Sequence, residues 1–322
     1  MFTDRSTIPG FCVHDRANRF LSATLADSLT IHSYAKLNLG LKVLGKRADG
    51  FHDLLSIFQE VDLQDDLHID VDPGGDLSVI ADRDDVPDGP GNLVYRAADA
   101  LRLRAKRPDL GALVRITKRI PSGGGLGGGS SNAGAVLCAL NHAWNLRLPE
   151  AELAAIGGEI GSDVPFSVGG GTALVTGRGE EVQPLKIVGD SPIYLLVDPG
   201  FSVETAWAFG SVNIKLTSEG PYIRFLNSVR ASGEVALLDF LETVENDFLP
   251  LICARYPSVQ RILSTLEDSG ALGASMSGTG ATLYGGFSDP QIAEQASLIL
   301  ERLGYVTHLC TPVRRPGGQP DP

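Results

Sequence analysis

The 322-residue chain has few cysteines and no cluster of cysteine and histidine with the spacing of a metal site. The cysteines are scattered along the sequence, and no two form a CxxC pair: Cys12, Cys138, Cys253 and Cys310. This pattern predicts reduced thiols rather than a disulfide framework or a zinc site. We therefore expect neither a disulfide nor a protein-held metal ion.

A long apolar run and an excess of basic residues are also absent. No stretch reaches the roughly 18 apolar residues that a membrane helix needs, so we expect no membrane partner. With 27 Lys and Arg against 39 Asp and Glu, the formal net charge is −12, which disfavours a nucleic-acid partner. The first thirty residues mix acids and bases without an apolar core, so we expect no signal peptide. These features predict a cytoplasmic protein, in the bacterial cytosol rather than the plastid stroma.

Predicted strands and helices are mixed through both halves of the chain, which indicates an α+β protein of two domains. The predicted boundary lies near residue 188, just before a buried strand at 192–198. A Pro- and Gly-rich C-terminal tail is expected to be disordered. The predicted segments are an extension, two domains and a tail: residues 1–30, 31–188, 189–315 and 316–322.

Residues 31–44 alternate strictly between apolar and polar side chains, which predicts a half-buried strand. Ala35 and Leu37 lie on the apolar face, whereas Lys36 and Asn38 lie on the other. The two polar side chains therefore share one face of the strand and are candidates for a functional site.

A glycine-rich segment lies between a predicted strand at 112–118 and a helix predicted to be capped by Ser130 or Ser131. Its residues are Pro121, Ser122, Gly123, Gly124, Gly125, Leu126, Gly127, Gly128, Gly129, Ser130 and Ser131. Glycines let backbone N–H groups approach a ligand and adopt positive φ. The following helix presents unpaired N–H groups and the positive end of its dipole. The segment predicts a phosphate-binding loop. A flexible linker is the alternative, but it does not suit a position between a strand and an amphipathic helix.

Two common nucleotide-binding loops fit this segment poorly. Gly123, Gly125 and Gly128 match G-x-G-x-x-G, but a dinucleotide fold places that motif after its first strand, with an acid about twenty residues on. Here the next segment is helical. The sequence also lacks G-x-x-x-x-G-K-[ST], so it does not predict a Walker-type loop.

The segment Pro121–Gly134 resembles the central motif of the GHMP kinases, a family that includes galactokinase, homoserine kinase and mevalonate kinase. Ala35–Leu39 is similar to the first motif of that family, and Gly273–Ala281 to its third. The resemblance covers roughly residues 31–315. It implies the two-domain GHMP kinase fold, with a ribosomal S5 domain 2-like N-terminal half and a ferredoxin-like C-terminal half.

Three stretches resemble one branch of the family in particular: Gly45–Asp53, Gly127–Ala133 and Gly161–Phe166. That branch phosphorylates a hydroxyl of a cytidine diphosphate-linked polyol in the non-mevalonate isoprenoid pathway. The resemblance therefore implies ATP, with its triphosphate under the glycine-rich loop, and Mg²⁺ as cofactors. It also implies a small-molecule acceptor; the sequence leaves the oligomeric state open.

Asp163 is the candidate general base, because it follows a predicted helix in a rigid setting between glycine and proline, and a carboxylate can accept a hydroxyl proton. The segment after it, 164–168, is predicted to be extended. Both Asp163 and Lys36 fall on residues of the family motifs, and Lys36 would stabilise charge near the transferring oxygen. By the same resemblance, Asn92 and Lys118 are expected near the adenine.

The acceptor site is also implied by the resemblance. Phe51 and Phe209 are expected to stack on the cytosine and His52 to bind its polar edge, while Asn38 would position substrate or phosphate. The family usually has tyrosine where this chain has Phe51. Stacking survives that difference, whereas a hydrogen bond from a phenol does not.

Three other functions are compatible with parts of these patterns. A different GHMP kinase, for homoserine or a sugar, would act on an acceptor without a nucleotide. A non-catalytic nucleotide-binding sensor would not need to retain both Lys36 and Asp163. An oxidoreductase with a dinucleotide fold is disfavoured by the position of the glycine-rich loop.

Overall fold

The computed structural model describes residues 7–8, 28–72, 74–212 and 220–314. The predicted extension therefore lies mostly outside the described residues, and the predicted tail lies wholly outside them. Among the described residues, no helix has the length and apolarity needed to cross a membrane.

The strands follow one another along the whole chain, and two of them exceed eighteen residues. In chain order they are β1 (Thr7–Ile8), β2 (Ser28–Lys46), β3 (His52–Asp72), β4 (Leu77–Ala81), β5 (Gly111–Thr117), β6 (Thr172–Thr176), β7 (Glu181–Pro184), β8 (Lys186–Ile187), β9 (Ile193–Asp198), β10 (Glu234–Val235), β11 (Gly273–Met276), β12 (Leu283–Phe287) and β13 (Val306–Cys310).

Helices are interspersed among these strands, as the α+β prediction requires. They are α1 (Leu93–Arg104), α2 (Gly128–Ala143), α3 (Glu150–Ile160), α4 (Val164–Gly169), α5 (Thr205–Ser211), α6 (Pro221–Ser232), α7 (Leu237–Leu241), α8 (Leu249–Arg255), α9 (Pro257–Asp268) and α10 (Pro290–Arg302), with a 3-10 helix at Gly89–Gly91.

Most predicted elements are confirmed, and the differences have local causes. The extended segment predicted at 164–168 is wrong, because residues 164–169 form a short helix. Pro165 lies in its first turn, where a backbone N–H has no partner within the helix, so a proline is tolerated there. Residues His52–Asp72 form one long strand, β3. Its acidic residues interrupt the apolar pattern, but Asp62 and Asp65 each accept hydrogen bonds, so the strand continues.

Contacts group the chain into two compact units. The first contains Met1–Ala35, Gln64–Ser122 and Gly128–Gly169, and the second contains Lys36–Leu63, Gly123–Gly127 and Gly170–Pro322. Strands β2 and β3 and the glycine-rich loop thus contribute residues to both units. The domain boundary near residue 188 stays a prediction.

The first unit is a sheet with helices α1 to α4 on its apolar side. Strand β5 pairs antiparallel with β3 and parallel with β4. Alternate residues of β3 and β5, among them Leu67, Ile69 and Val114, are buried against apolar residues of α2 such as Val136 and Leu140. This packing fixes the position of the start of α2. It therefore also fixes the position of the end of the glycine-rich loop.

The second unit is built around the antiparallel sheet β11-β12-β9-β13. Its core packs Leu195 and Leu283 of that sheet against Ile262 of α9 and Leu300 of α10. In the same unit, β3 pairs with β6, and β6 with β7.

Strand β2 is anchored in the second unit by an ion pair. The Lys42 ammonium lies 2.8 Å from an Asp247 oxygen and 3.1 Å from a Glu245 oxygen. Burial acts to lower the pKa of Lys42, but hydrogen bonds to the two carboxylates outweigh it and leave that pKa raised.

Candidate active site

The glycine-rich loop has the positive φ angles that its glycine content predicts. Gly123, Gly125 and Gly127 have φ of +71°, +76° and +67°, in the left-handed region that favours glycine. Helix α2 begins at Gly128, so Ser130 and Ser131 lie in its first turn, and the predicted serine cap is wrong. At this early start the helix lies close to neighbouring residues, since a Cβ on Gly128 would lie 3.0 Å from Ile120 Cγ2.

Within the second unit, the loop apex packs on the third motif. Thr282 N donates to Gly124 O at 3.1 Å, and the Ser277 hydroxyl donates to Gly125 O at 2.8 Å. A Cβ on Gly125 would lie 2.3 Å from the backbone oxygen of Ser277, so only glycine fits there. The two glycine-rich motifs therefore form one surface of backbone groups.

The first motif joins the same surface. Lys36 N donates to Leu126 O at 3.0 Å, and Asn38 N donates to the Ser277 hydroxyl at 3.1 Å. The Lys36 ammonium donates to the Asn38 side-chain oxygen and lies 4.4 Å from the centroid of the Phe58 ring. The second unit thus brings Lys36 and Asn38 together with the apex of the glycine-rich loop and the third motif. This arrangement is the one expected if these residues share a binding surface.

Asp163 lies in the first unit, directly before α4, and is half-buried. Its carbonyl accepts hydrogen bonds from Ser167 N at 3.3 Å and from the Ser167 hydroxyl at 3.2 Å. The Ser130 hydroxyl lies 3.9 Å from the point where a Cβ on Gly161 would stand. The first turn of α2 and the turn that carries Asp163 are therefore neighbours.

Two glycines let α4 pack closely in the first unit. A Cβ on Gly134 of α2 would lie 2.6 Å from Ser167 Cβ, and one on Gly157 of α3 would lie 2.8 Å from Val164 Cγ1. Close packing of this kind leaves α4 one position, which fixes the backbone at Asp163.

We expect Gly134→Ala to lower the free energy of unfolding by about 1–3 kcal/mol, because the added methyl group overpacks the contact between α2 and α4. The matched control is Gly158→Ala in α3, whose new Cβ would meet only Pro165 at an ordinary 3.7 Å. That change should leave stability unaltered or raise it by about 0.5–1 kcal/mol. Urea unfolding of both variants tests the difference, and equal effects would contradict it.

The serines of the loop have different surroundings. The Ser131 hydroxyl is buried and donates to Tyr34 O, so it holds α2 in place. Ser130 is half-buried and Ser122 is exposed. Hydrogen bonds from Arg83 and from the Ser122 hydroxyl lower the pKa of Asp85.

The two residues predicted near the adenine have structural partners. The Asn92 side chain caps α1 by accepting from Val94 N at 2.9 Å and donates to Pro87 O at 2.7 Å. The Lys118 ammonium pairs with the buried Asp65 and donates to the Asn132 oxygen at 3.1 Å. Their roles at the adenine stay predictions. Neither Asp65 nor Asn132 was predicted as a site residue, although an acid within an apolar strand pattern was a usable signal.

Of the predicted acceptor residues, His52 and Phe209 are in contact in the second unit. Their rings stack with centroids 5.2 Å apart and an interplanar angle of 23°. Phe51 is 52% exposed, and the Arg178 guanidinium lies 4.9 Å from its ring centroid. The sandwich of cytosine between Phe51 and Phe209 stays a prediction.

Family models identify the class of protein. The model described as the GHMP kinases N terminal domain matches residues 92–171, and that described as GHMP kinases C terminal matches residues 246–306. The predicted α+β, two-domain GHMP kinase fold is thereby confirmed.

Two curated relatives narrow the family. The chain is 40% identical over 268 residues to the 4-diphosphocytidyl-2-C-methyl-D-erythritol kinase of Geobacter sp. (strain M21), an alignment that covers 83% of this chain and 92% of that protein. It is 41% identical over 263 residues to the kinase of the same name from Citrifermentans bemidjiense, covering 82% of this chain and 91% of the relative. The chain belongs to the 4-diphosphocytidyl-2-C-methyl-D-erythritol kinase family of GHMP kinases.

Solved structures agree with this placement. A crystal structure of 4-(cytidine 5'-diphospho)-2C-methyl-D-erythritol kinase matches with a TM-score of 0.72 and 29% identity, covering 89% of this chain and all of the other. Homoserine kinase from Cytophaga hutchinsonii matches with a TM-score of 0.68 but only 18% identity, covering 91% of this chain and 96% of the other. The second match supports the fold alone.

Proposed function

We propose that this chain transfers the γ-phosphoryl group of ATP to the 2-hydroxyl of 4-diphosphocytidyl-2-C-methyl-D-erythritol, in the non-mevalonate pathway to isoprenoid precursors. The observation that carries the proposal is the 40–41% identity, over more than four fifths of the chain, to two relatives named for this kinase. The convergence of the three GHMP motifs independently supports the kinase activity, though not the choice of acceptor.

Backbone N–H groups of the glycine-rich loop would hold the ATP phosphates, aided by the start of α2. The acceptor hydroxyl oxygen forms a bond to the γ-phosphorus as the bond from that phosphorus to the β,γ-bridging oxygen breaks, and ADP leaves. Asp163 would accept the hydroxyl proton. Lys36, held by Asn38 and Phe58, would stabilise negative charge on the transferring group.

Mg²⁺ is proposed as a companion of ATP rather than as a resident metal. Within the described ranges, no group of three or more His, Cys, Asp or Glu side chains could hold a metal ion. The described residues therefore do not form a metal cage, and the steps above are assigned to protein groups only. When bound to ATP, Mg²⁺ neutralises charge on the phosphates.

The cytidine of the acceptor would be bound beside the His52 and Phe209 pair, with its polar edge on His52. We expect His52→Ala to raise the KM for the cytidyl acceptor roughly 3–10-fold, because a lost hydrogen bond to the base costs about 0.5–1.5 kcal/mol. The KM for ATP should change less than about twofold. Steady-state kinetics with each substrate varied in turn tests this. His308→Ala in the same unit is the matched control, and an equal effect from both variants would count against the proposed acceptor contact.

A kinase for homoserine or a sugar is the alternative, and a non-catalytic sensor is a second one. They are separated by an ATP-consumption assay with 4-diphosphocytidyl-2-C-methyl-D-erythritol and homoserine as separate acceptors. Turnover with the cytidyl acceptor alone supports the proposal. Turnover with homoserine alone would retain the kinase class and reject the acceptor, and binding of ATP without turnover of any acceptor would favour the sensor.

We also propose that the reaction takes place in the bacterial cytosol. The supporting observation is that the curated relatives described above come from bacteria. The absence of a nucleic-acid partner stays a prediction from the acidic composition.

A further inference from the structure

A fully buried carboxylate, Asp65 of β3, lies in the first unit, where it contacts residues on either side of the glycine-rich loop. Its side chain is 0% exposed. A buried carboxylate is retained only where donors satisfy its oxygens. We infer that Asp65 is a positioning residue that sets the nucleotide-binding loop for ATP, an inference that rests on the proposed kinase function.

One oxygen of Asp65 holds the chain that enters the loop. Oδ1 accepts hydrogen bonds from Arg119 N at 2.7 Å and from Ile120 N at 2.8 Å. These two residues directly precede Pro121, the first residue of the loop. The carboxylate therefore fixes the direction in which the backbone leaves β5.

The second oxygen holds the chain that leaves the loop. Oδ2 accepts from the Asn132 amide at 2.9 Å and from the Lys118 ammonium. Asn132 follows Ser131 in the first turns of α2, and its amide also donates to the Ser33 hydroxyl at 2.5 Å. A single side chain thus ties both ends of the loop to one point on β3.

Close packing would transmit any displacement of this point to the loop. A Cβ on Gly128, the first residue of α2, would lie 3.0 Å from Ile120 Cγ2 and 3.2 Å from the Lys118 ammonium. Helix α2 therefore begins in direct contact with groups that Asp65 holds. Its first N–H groups are those proposed to bind phosphate, so a shift here moves the ATP site.

The contacts of Asp65 need two acceptor oxygens and a negative charge. An asparagine can keep an acceptor for Arg119 N and Ile120 N, but its NH₂ group then faces the Lys118 ammonium and the Asn132 amide, which are donors. The buried ammonium loses its counter-charge, and the two ends of the loop are no longer held together.

The experiment measures binding of a non-hydrolysable ATP analogue to Asp65→Asn by calorimetry, together with KM for each substrate. We expect the dissociation constant of the analogue and the KM for ATP to rise roughly 10–100-fold, since small displacements in a site have effects of that size. The KM for the acceptor should stay within about twofold. Circular dichroism at the assay temperature checks that the variant is folded.

Asp66→Asn is the matched control, because Asp66 is the next residue of β3 and its side chain is 26% exposed rather than fully buried. The Asp66 carboxylate pairs with the His32 ring at 2.7 Å and with the Arg119 guanidinium at 2.6 Å. The Asp66→Asn change should leave ATP binding unchanged. A folded Asp65→Asn that binds the analogue like the wild type would overturn the inference, and so would an equal rise in both KM values.

If Asp65→Asn does not fold, Asn132→Ala gives a second test, since it removes the amide that Asp65 holds at the exit of the loop, together with the bonds of that side chain to Ser33 and Lys118. A severalfold weaker binding of the analogue is then expected, and unchanged binding would overturn the inference. Because the analogue is measured without acceptor, a wild-type chain that binds it but does not phosphorylate the cytidyl acceptor would count against the proposed acceptor alone.

Discussion

Replacing Asp163 by asparagine should lower kcat by roughly 10²–10⁴-fold, the range that a positioned general base contributes. Asparagine has nearly the shape of aspartate but accepts no proton from the acceptor hydroxyl. Asp163 is held at the start of α4 by backbone bonds to Ser167, which the substitution leaves in place. We therefore expect ATP affinity to stay within a few fold of the wild type and the loss to appear in kcat.

Glu159→Gln is the control for this experiment. It is the same acid-to-amide change in the same unit, at an exposed side chain that pairs with Arg104 at 2.9 Å. Its kcat should equal that of the wild type. An Asp163→Asn protein that is folded, binds ATP and retains more than about a tenth of wild-type kcat would contradict the role of Asp163 as base.

The second large effect is expected from Gly125→Ala, which should reduce kcat/KM for ATP by about 10²-fold or more. The new Cβ would stand 2.3 Å from the backbone oxygen of Ser277, a group that cannot rotate away. The contact between the two glycine-rich motifs must therefore open. The φ of +76° adds a strain of about 1–2 kcal/mol. Nucleotide binding and initial rates at varied ATP measure the effect.

Gly233→Ala is the control that separates the backbone strain of a positive φ from the steric clash of a new Cβ. Gly233 has a similar φ of +71° at the end of α6, and a Cβ there meets nothing within 4 Å. This variant should lose about 1–2 kcal/mol of stability but bind ATP normally. If Gly125→Ala also bound ATP normally, the close packing of the two loops would not be needed for the site.

The elements that carry the motifs were predictable because their signals are local. Alternation in residues 31–44 predicts β2, and the glycine run between a strand and an amphipathic helix predicts the loop and the start of α2 within about four residues. Asp163 could be singled out because it lies between Gly161 and Pro165 in a family motif. These signals need no knowledge of distant parts of the chain.

The partners of site residues depend on long-range pairing and were not predictable in that way. Asp65 reaches Arg119 and Ile120 only because β3 pairs antiparallel with β5. Likewise, nothing in the local sequence of Lys118 indicates that its ammonium is buried against that carboxylate. The contact of His52 with Phe209 joins residues from opposite halves of the chain.

The most direct measurement follows the label from γ-labelled ATP when wild-type protein is given 4-diphosphocytidyl-2-C-methyl-D-erythritol and homoserine in competition. We expect the label on the 2-hydroxyl of the cytidyl acceptor, and at most about a hundredth as much there with Asp163→Asn over the same time. Label on homoserine, or label released only as inorganic phosphate, would contradict the proposed reaction.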